Sequence, residues 1–250
     1  MKEIKIQSKK RVIELFIKNS IFFRITKLLL NPKKLIRKIV NHKYDLSKIK
    51  KIDWKKRSQN LGKYSVIDSQ TPKDEFNYVT KLQKEFLMNN LKNLTTGNEK
   101  KILDFGCGTG RFSCDLGKLS KKSKVLAVDT EKNLIKMAKK TKNVKYLHIK
   151  SLRDIKGKFN IIFIANVLGG IEAQKLTSIS NFICKSLKNK GILLLNENTS
   201  EKIMPKKEIL KEWASRNEEF YIKLFAKVKL KKVDTYKYLQ STSSIFVGKK

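Results

Sequence analysis

From residue 101 onward, short apolar runs alternate with stretches of helical spacing, and that alternation admits few architectures. Lys101–Phe105 (KILDF), Lys124–Val128 (KVLAV), Val144–Ile149 (VKYLHI), Phe159–Ala165 (FNIIFIA) and Gly191–Asn196 (GILLLN) read as buried strands. Arg111–Leu119, Glu131–Lys140 and Glu172–Leu187 between them read as helices, with Thr130 placed to N-cap the second. Strands separated by helices join through right-handed crossovers, which gives a mostly parallel sheet with helices on both faces. Glu208–Phe225 is a further amphipathic helical stretch, followed by strands at Lys227–Tyr236 and Ser243–Gly248. These last two lie too close together for a crossover helix, so they are expected to form an antiparallel hairpin at the end of the sheet.

The chain changes character at the turn-like cluster Leu94–Asn98 (LTTGN), which divides a helical, basic cap or lid over residues 1–98 from a strand-and-helix domain over 99–250. Within the first part, residues 12–40 contain VIELFI, IFFRITKLLL and LIRKIV between lysines. Such a segment caps a domain with its apolar side or lies on an anionic membrane surface. The formal charge of +36 points towards polyanions, but lysines number 51 and arginines seven, and arginine is the better residue for bidentate contacts to phosphates and bases. Residues 1–60 hold 19 basic and four acidic groups, so the charge is densest there. Three cysteines (Cys107, Cys114, Cys184) and two histidines (His42, His148) support neither a disulfide framework nor a zinc site, so no metal is expected. No apolar run is long enough to span a membrane and the start lacks a secretory pattern, which leads to the expectation of a soluble protein of the cytoplasm, with peripheral contact to the inner face of the membrane as an option.

The most specific local signal is Asp104-Phe-Gly106-Cys107-Gly108-Thr-Gly110-Arg111, directly after a strand and before a helix. In open α/β sheets the ligand lies beyond the carboxyl ends of the strands, where this loop would sit. Its glycines let the backbone approach a ligand closely. Arg111 stands where a dinucleotide fingerprint needs its last glycine, and no Gly-Lys-Ser/Thr follows, which excludes a P-loop. An acid two residues ahead of the first glycine suits a ligand carrying an ammonium better than a pyrophosphate. Asp129 ends the second strand, 19 residues after Gly110, where a carboxylate can accept two hydrogen bonds from vicinal ribose hydroxyls. Together these point to a cofactor containing adenosine.

The sequence resembles the class I S-adenosylmethionine-dependent methyltransferases over roughly residues 100–250. The run WKKRSQNLGKYSVID…EFNYVTKLQKEFL, with FIANVLGGI and NENTSEK, is further similar to a bacterial small-molecule subgroup like the ubiquinone and menaquinone C-methyltransferases. The resemblance implies a Rossmann-like, doubly wound seven-stranded sheet and S-adenosyl-L-methionine as cofactor. It assigns Asp104, Gly106, Cys107, Gly108 and Gly110 to the cofactor's amino-acid end, Asp129 to the ribose, and Thr130 and Glu131 to the neighbourhood of the adenosine. The family often places an acid after the third strand against the adenine amino group. Here Lys150 and Ser151 occupy that place and Asp154 comes three residues late, so Ser151 and the backbone of Leu152 are expected to serve instead.

Methyl transfer from a sulfonium depends chiefly on proximity and orientation, so the lack of a triad does not argue against an enzyme. Asn166, after the fourth strand, is a candidate to orient the acceptor or the cofactor ammonium, and a loop cap is its alternative. Glu197, after the fifth, is the first candidate for a general base, and an ordinary solvated acid is its alternative. Tyr64 reads as a lid residue or a buried structural tyrosine, His148 as a packed ring, and Cys107 as a small loop residue rather than a nucleophile. The expected activity is methylation of a small molecule or a glycan or lipid-linked precursor, oxygen slightly ahead of carbon. The competing readings are an RNA methyltransferase whose Phe16, Phe22, Phe23, Tyr44 and Trp54 stack on bases, and a cofactor-binding protein without catalysis.

Overall fold

The computed structural model describes residues 52–68, 71–200, 213, 215–238 and 241–250. The helical segment expected over residues 12–40 lies outside them. The described residues all fall in one compact unit. Its elements are α1 (Trp54–Leu61), α2 (Phe76–Lys92), β1 (Lys101–Phe105), α3 (Ser113–Leu116), β2 (Lys124–Asp129), α4 (Lys132–Lys136), β3 (Val144–His148), β4 (Phe159–Ala165), α5 (Ala173–Ser186), β5 (Leu187–Thr199), α6 (Glu218–Leu224), β6 (Lys231–Tyr238) and β7 (Ser241–Lys249).

The seven strands form one sheet in the order β3-β2-β1-β4-β5-β7-β6. The first five are parallel, while β7 runs antiparallel to both β5 and β6. This is the expected Rossmann-like, doubly wound sheet with its C-terminal hairpin, and β7 is the hairpin strand that docks on β5. The central strands are mostly apolar because both faces are covered, with Asp104 in β1 and Asn160 in β4 among their polar members. On one face Leu103, Ile162, Leu193 and Phe246 pack against Ile179 and Ile183 of α5 and Tyr221 of α6. On the other, Ile102, Phe163, Leu194 and Ile245 pack against Leu87 and Leu91 of α2 and Leu116 of α3. The boundary expected at residues 98/99 therefore separates helical from strand-bearing sequence inside one compact unit.

α2 shows how a simple pattern places one functional group. Its buried residues Phe76, Val79, Gln83, Leu87 and Leu91 recur every three or four positions and so form one stripe. Gln83 is the polar member of that stripe, and it lies under the cavity described below.

Several boundaries depart from expectation. α3 and α4 are shorter than the helical spacing suggested, because their last residues close three-residue turns (Leu119 N–H to Leu116 O, 3.2 Å; Ala138 N–H to Ile135 O, 3.1 Å). Such turns keep the apolar spacing without continuing an α-helix. α4 is capped by Glu131, whose carboxylate accepts from Asn133 N–H at 2.9 Å, and not by Thr130. α6 begins at Glu218, capped by Asn217; the residues before it are extended, with Arg216 bridging to Thr199. The part of the helix expected over 208–212 lies outside the described residues. β6 starts at Lys231, after Ala226–Val228 form a 3₁₀ turn that ends on the left-handed Lys229.

Candidate active site

The sheet order reverses between β1 and β4, and at a switch point of this kind the loops leaving adjacent strands diverge to leave a crevice. A cavity of about 870 Å³ opens there. One half lies against the ends of β1, β2 and β3, lined by Asp104, Gly106, Gly108, Asp129, Ser151 and Leu152. The other lies against the ends of β4, β5 and the hairpin and against α1, lined by Trp54, Asn166, Gly170, Asn198, Trp213 and Ser243. The volume is at the upper end of the roughly 300–1,000 Å³ of ligand pockets, which leaves room for two reactants.

The glycine loop turns out of β1 when Gly106 and Cys107 N–H both donate to Val128 O, each at 2.9 Å. Gly108 takes φ +55°, and a Cβ there would collide with Val66. That conformation aims its N–H at Asp129 Oδ2, 2.8 Å away. Asp129 Oδ1 accepts from Glu131 N–H at 2.8 Å. Each carboxylate oxygen thus keeps a free lone pair, enough for a pair of ribose hydroxyls. Gly110 behaves differently from the sequence expectation: it does not line the cavity, and at φ +72° its missing Cβ makes room for the Tyr146 hydroxyl of β3. Its role is to seat the loop on β3, one step removed from the cofactor.

Asp104 is 3% exposed, and the Ser113 hydroxyl donates to its Oδ2 at 2.6 Å. Burial pushes this carboxyl up to about 7, with Ser113 pulling it down and the nearby Asp129 charge pushing it further up. A buried carboxylate facing a cavity in this way gains from an ammonium ligand. Burial also pushes the Cys107 thiol far up, which leaves it a packing residue of the loop. Thr130, Ser151 and Leu152 all line the cavity. Asp154 does not: its carboxylate turns back to accept from Lys150 N–H (2.7 Å) and Ser151 N–H (3.0 Å), closing a capping box. Those backbone bonds hold it below its ordinary value.

Exposure corrects the reading of His148, and packing favours the structural alternative for Tyr64. His148 is exposed on the edge strand β3, its Nε2 3.2 Å from Thr130 O, so it is not a packed ring. Tyr64 stacks edge-on against Phe76 (centroids 5.3 Å apart) and does not line the cavity.

The largest correction concerns Glu197. Its side chain is fully buried on the α5 face of the sheet, the opposite face from Asn196 and Asn198. Oε1 accepts from Val167 N–H (2.8 Å) and Leu168 N–H (2.7 Å), and Oε2 accepts from Gly169 N–H (3.1 Å). Arg216, also buried, donates to Leu168 O (2.8 Å) and Ile171 O (2.9 Å). The two side chains clamp the loop after β4 by its donors and its acceptors. Burial pushes Glu197 up to about 7 against the pull of these N–H groups and of Arg216. It does not line the cavity, so it is a positioning residue and not the base expected from sequence. What it positions includes Asn166, which takes a left-handed φ of +54°, donates its N–H to Asn196 O (2.8 Å) and accepts from Asn196 Nδ2 (3.2 Å). The Nδ2 donors of Asn166 remain for a ligand.

Sequence reasoning passed over Gln83 and Arg111. Arg111 lines the cavity, lies over the Phe112 ring (4.8 Å) and donates to Gln83 Oε1 at 2.6 Å, tying the glycine loop to α2. Burial pulls the guanidinium down to about 10. A glutamine inside the apolar stripe of α2 was the available sign of it.

A family model described as a methyltransferase domain matches residues 96–242, more than half of the chain. The chain belongs to that family. An uncharacterized protein of Rickettsia prowazekii (strain Madrid E) is 35% identical over 107 residues, covering 40% of this chain and 43% of its own length. The chain thus spans less than half of that curated relative. Among solved structures, a Leishmania major S-adenosylmethionine-dependent methyltransferase superposes with a TM-score of 0.60 at 15% identity, covering 78% of this chain and 80% of its own. The DhpI complex with S-adenosylhomocysteine gives 0.58 at 13%, with 78% and 93% covered. The N-methyltransferase NodS of Bradyrhizobium japonicum WM9, also with S-adenosylhomocysteine, gives 0.55 at 15%, with 77% and 97% covered. The fold is that of methyltransferases solved with S-adenosylhomocysteine. The site fits that molecule: a cradle that side chains would fill, a carboxylate with two free lone pairs, and a buried acid awaiting a cation. No helix among the described residues is long and apolar enough to cross a membrane.

Proposed function

We propose that this methyltransferase methylates a hydroxyl oxygen of a small molecule, with a glycan or lipid-linked precursor as the substrate class. One observation supports this above the others. The half of the cavity away from the glycine loop presents the amides and hydroxyls of Asn166, Asn198, Ser241 and Ser243, with the Glu172 carboxylate paired to Lys175 and Asp68 also in the cavity lining. Such a wall suits a neutral alcohol.

The cofactor, when bound, supplies an electrophilic methyl group on a sulfonium. Asp104, Gly106, Gly108 and Cys107 would hold its amino-acid end, Asp129 the ribose, and Thr130, Ser151 and Leu152 the adenosine side. Asn166, offering Nδ2 from a fixed left-handed turn, orients the acceptor beside it, and orientation of this kind supplies much of the rate. Glu197 lies outside the cavity, so the hydroxyl proton passes to water or to a carboxylate that lines it, such as Asp68 or Glu172. The net charge of +15 over residues 1–60 supports a meeting with a lipid-linked acceptor at an anionic membrane surface.

The test is incubation of the full chain with S-adenosylmethionine carrying a carbon-13 methyl group, together with neutral glycans, glycolipid extract and total RNA. The transferred carbon's chemical shift identifies its new bond. Label in oxygen-bound methyl of the glycan or lipid fraction is expected. Label on ring carbon would overturn the choice of oxygen, and label in RNA would overturn the substrate class.

A further inference from the structure

We propose that Trp54 and Trp213 form a slot for a neutral, hydroxylated saturated ring, such as a pyranose, in the acceptor half of the cavity. The inference rests on the hydroxyl-methylating function proposed above and deepens it.

The slot is built on a pair of glycines. Gly169 and Gly170 follow β4, held by the Glu197 carboxylate, and the indole of Trp213 lies directly on them. A Cβ on Gly169 would run into the Trp213 ring. One on Gly170 would stand 3.1 Å from Trp213 and 3.5 Å from Trp54, so both indoles reach the same residue from different elements. Both line the cavity. Flat apolar surfaces of this kind match the C–H face of a sugar ring or the face of an arene.

Polar groups choose between these. The Trp213 indole Nε1, beside Gly169, is buried with no hydrogen-bond partner among the described residues, a cost that a ligand oxygen reaching it would remove. Across the same cavity the Ser243 hydroxyl donates to Asn198 Oδ1 at 2.8 Å, which leaves the Asn198 Nδ2 donors and the lone pairs of Ser243 for a ligand. A bare arene satisfies none of these; a ring carrying hydroxyls satisfies donors and acceptors alike. Charge weighs against anionic rings: Lys175 is paired with Glu172 (2.9 Å), and Arg57 and Arg111 already donate to Ser65 O (2.8 Å), Ile67 O (3.0 Å) and Gln83 Oε1 (2.6 Å).

The test uses a property of this chain: Trp54 and Trp213 are its only tryptophans, so intrinsic indole fluorescence reports from the slot alone. The full chain with saturating S-adenosylhomocysteine is titrated with methyl glycosides of glucose, galactose, mannose and N-acetylglucosamine, then with phenol and glucose 6-phosphate. At least one glycoside should change the emission saturably, more tightly than phenol or the sugar phosphate. Trp213→Ala should weaken that glycoside at least tenfold while calorimetry shows an unchanged affinity for S-adenosylhomocysteine. Trp213→Phe, which keeps a ring and loses the N–H, should fall between them and covers the case in which the alanine variant does not fold. Tighter binding of phenol or of the phosphate, or no response to any glycoside by protein that binds S-adenosylhomocysteine normally, overturns the slot and leaves the methyltransferase reading standing. Failure of the folded protein to bind S-adenosylhomocysteine overturns both.

Discussion

Replacing Glu197 by alanine is expected to destabilise the protein by about 3–5 kcal/mol, read as a shift of the urea unfolding midpoint. The substitution leaves three N–H groups, the buried ones of Leu168 and Gly169 and the part-buried one of Val167, without an acceptor. It also deprives the buried Arg216 of the Glu197 charge. Each orphaned donor carries a desolvation cost, and an uncompensated buried cation adds to it. Glu197→Gln should lie between alanine and the native residue, at about 2 kcal/mol. An amide keeps one good acceptor but turns its NH₂ towards a backbone N–H. The ordering separates this role from the one its sequence position suggests. A general base replaced by glutamine would leave stability unchanged and abolish turnover. Near-native unfolding of Glu197→Gln with activity lost by several orders of magnitude would restore the base and remove the clamp.

The second expected result concerns Asp104 and pH. Its carboxyl is raised from an ordinary 3.8 to about 7 by burial, opposed by the Ser113 hydroxyl and reinforced by Asp129. For an acid raised on folding, the unfolded chain gives up its proton first. This group's contribution is therefore fully present below about pH 4 and is lost as pH rises towards 7. A bound ammonium favours the charged carboxylate and reverses that loss. Affinity for S-adenosylhomocysteine should accordingly strengthen from pH 5.5 to 7.5, by up to tenfold per unit, and level off above. Calorimetry in buffers of different ionisation heats should show proton release on binding below pH 7. Asp104→Asn should bind 10–100-fold more weakly at pH 8, a loss of about 1.4–2.8 kcal/mol, with a flat pH profile. A native pH profile in that variant would move the ammonium elsewhere.

The parts of this site that could be read from sequence are local. Strands β1 and β4 begin and end where their mostly apolar runs do, since strands covered on both faces carry few polar residues. Asp104, Gly108 and Asp129 were readable because each acts within a few residues of a strand end. What escaped depends on partners distant in sequence. Glu197 lies near the end of β5 as an acid at a site mouth would, yet strand alternation turns it to the α5 face, where the loop after β4 awaits it. Gly110 shares the glycine spacing, but its empty side is filled by Tyr146 from β3. His148 follows the alternation of a buried strand, but β3 is the sheet's edge and leaves it in solvent. Nothing adjacent to Trp213 announces that it will rest on Gly169 and Gly170.

The most direct test of the cofactor site is a calorimetric titration of S-adenosylhomocysteine into the native protein and into Asp129→Ala. Asp129 spends one lone pair of each oxygen on Gly108 and Glu131 and offers the others to the ribose. The native protein should bind one equivalent, and the variant should bind 10–100-fold more weakly, a loss of about 1–3 kcal/mol. Equal affinities, or a folded native protein that takes up no S-adenosylhomocysteine, would contradict the placement of the cofactor between the glycine loop and the end of β2.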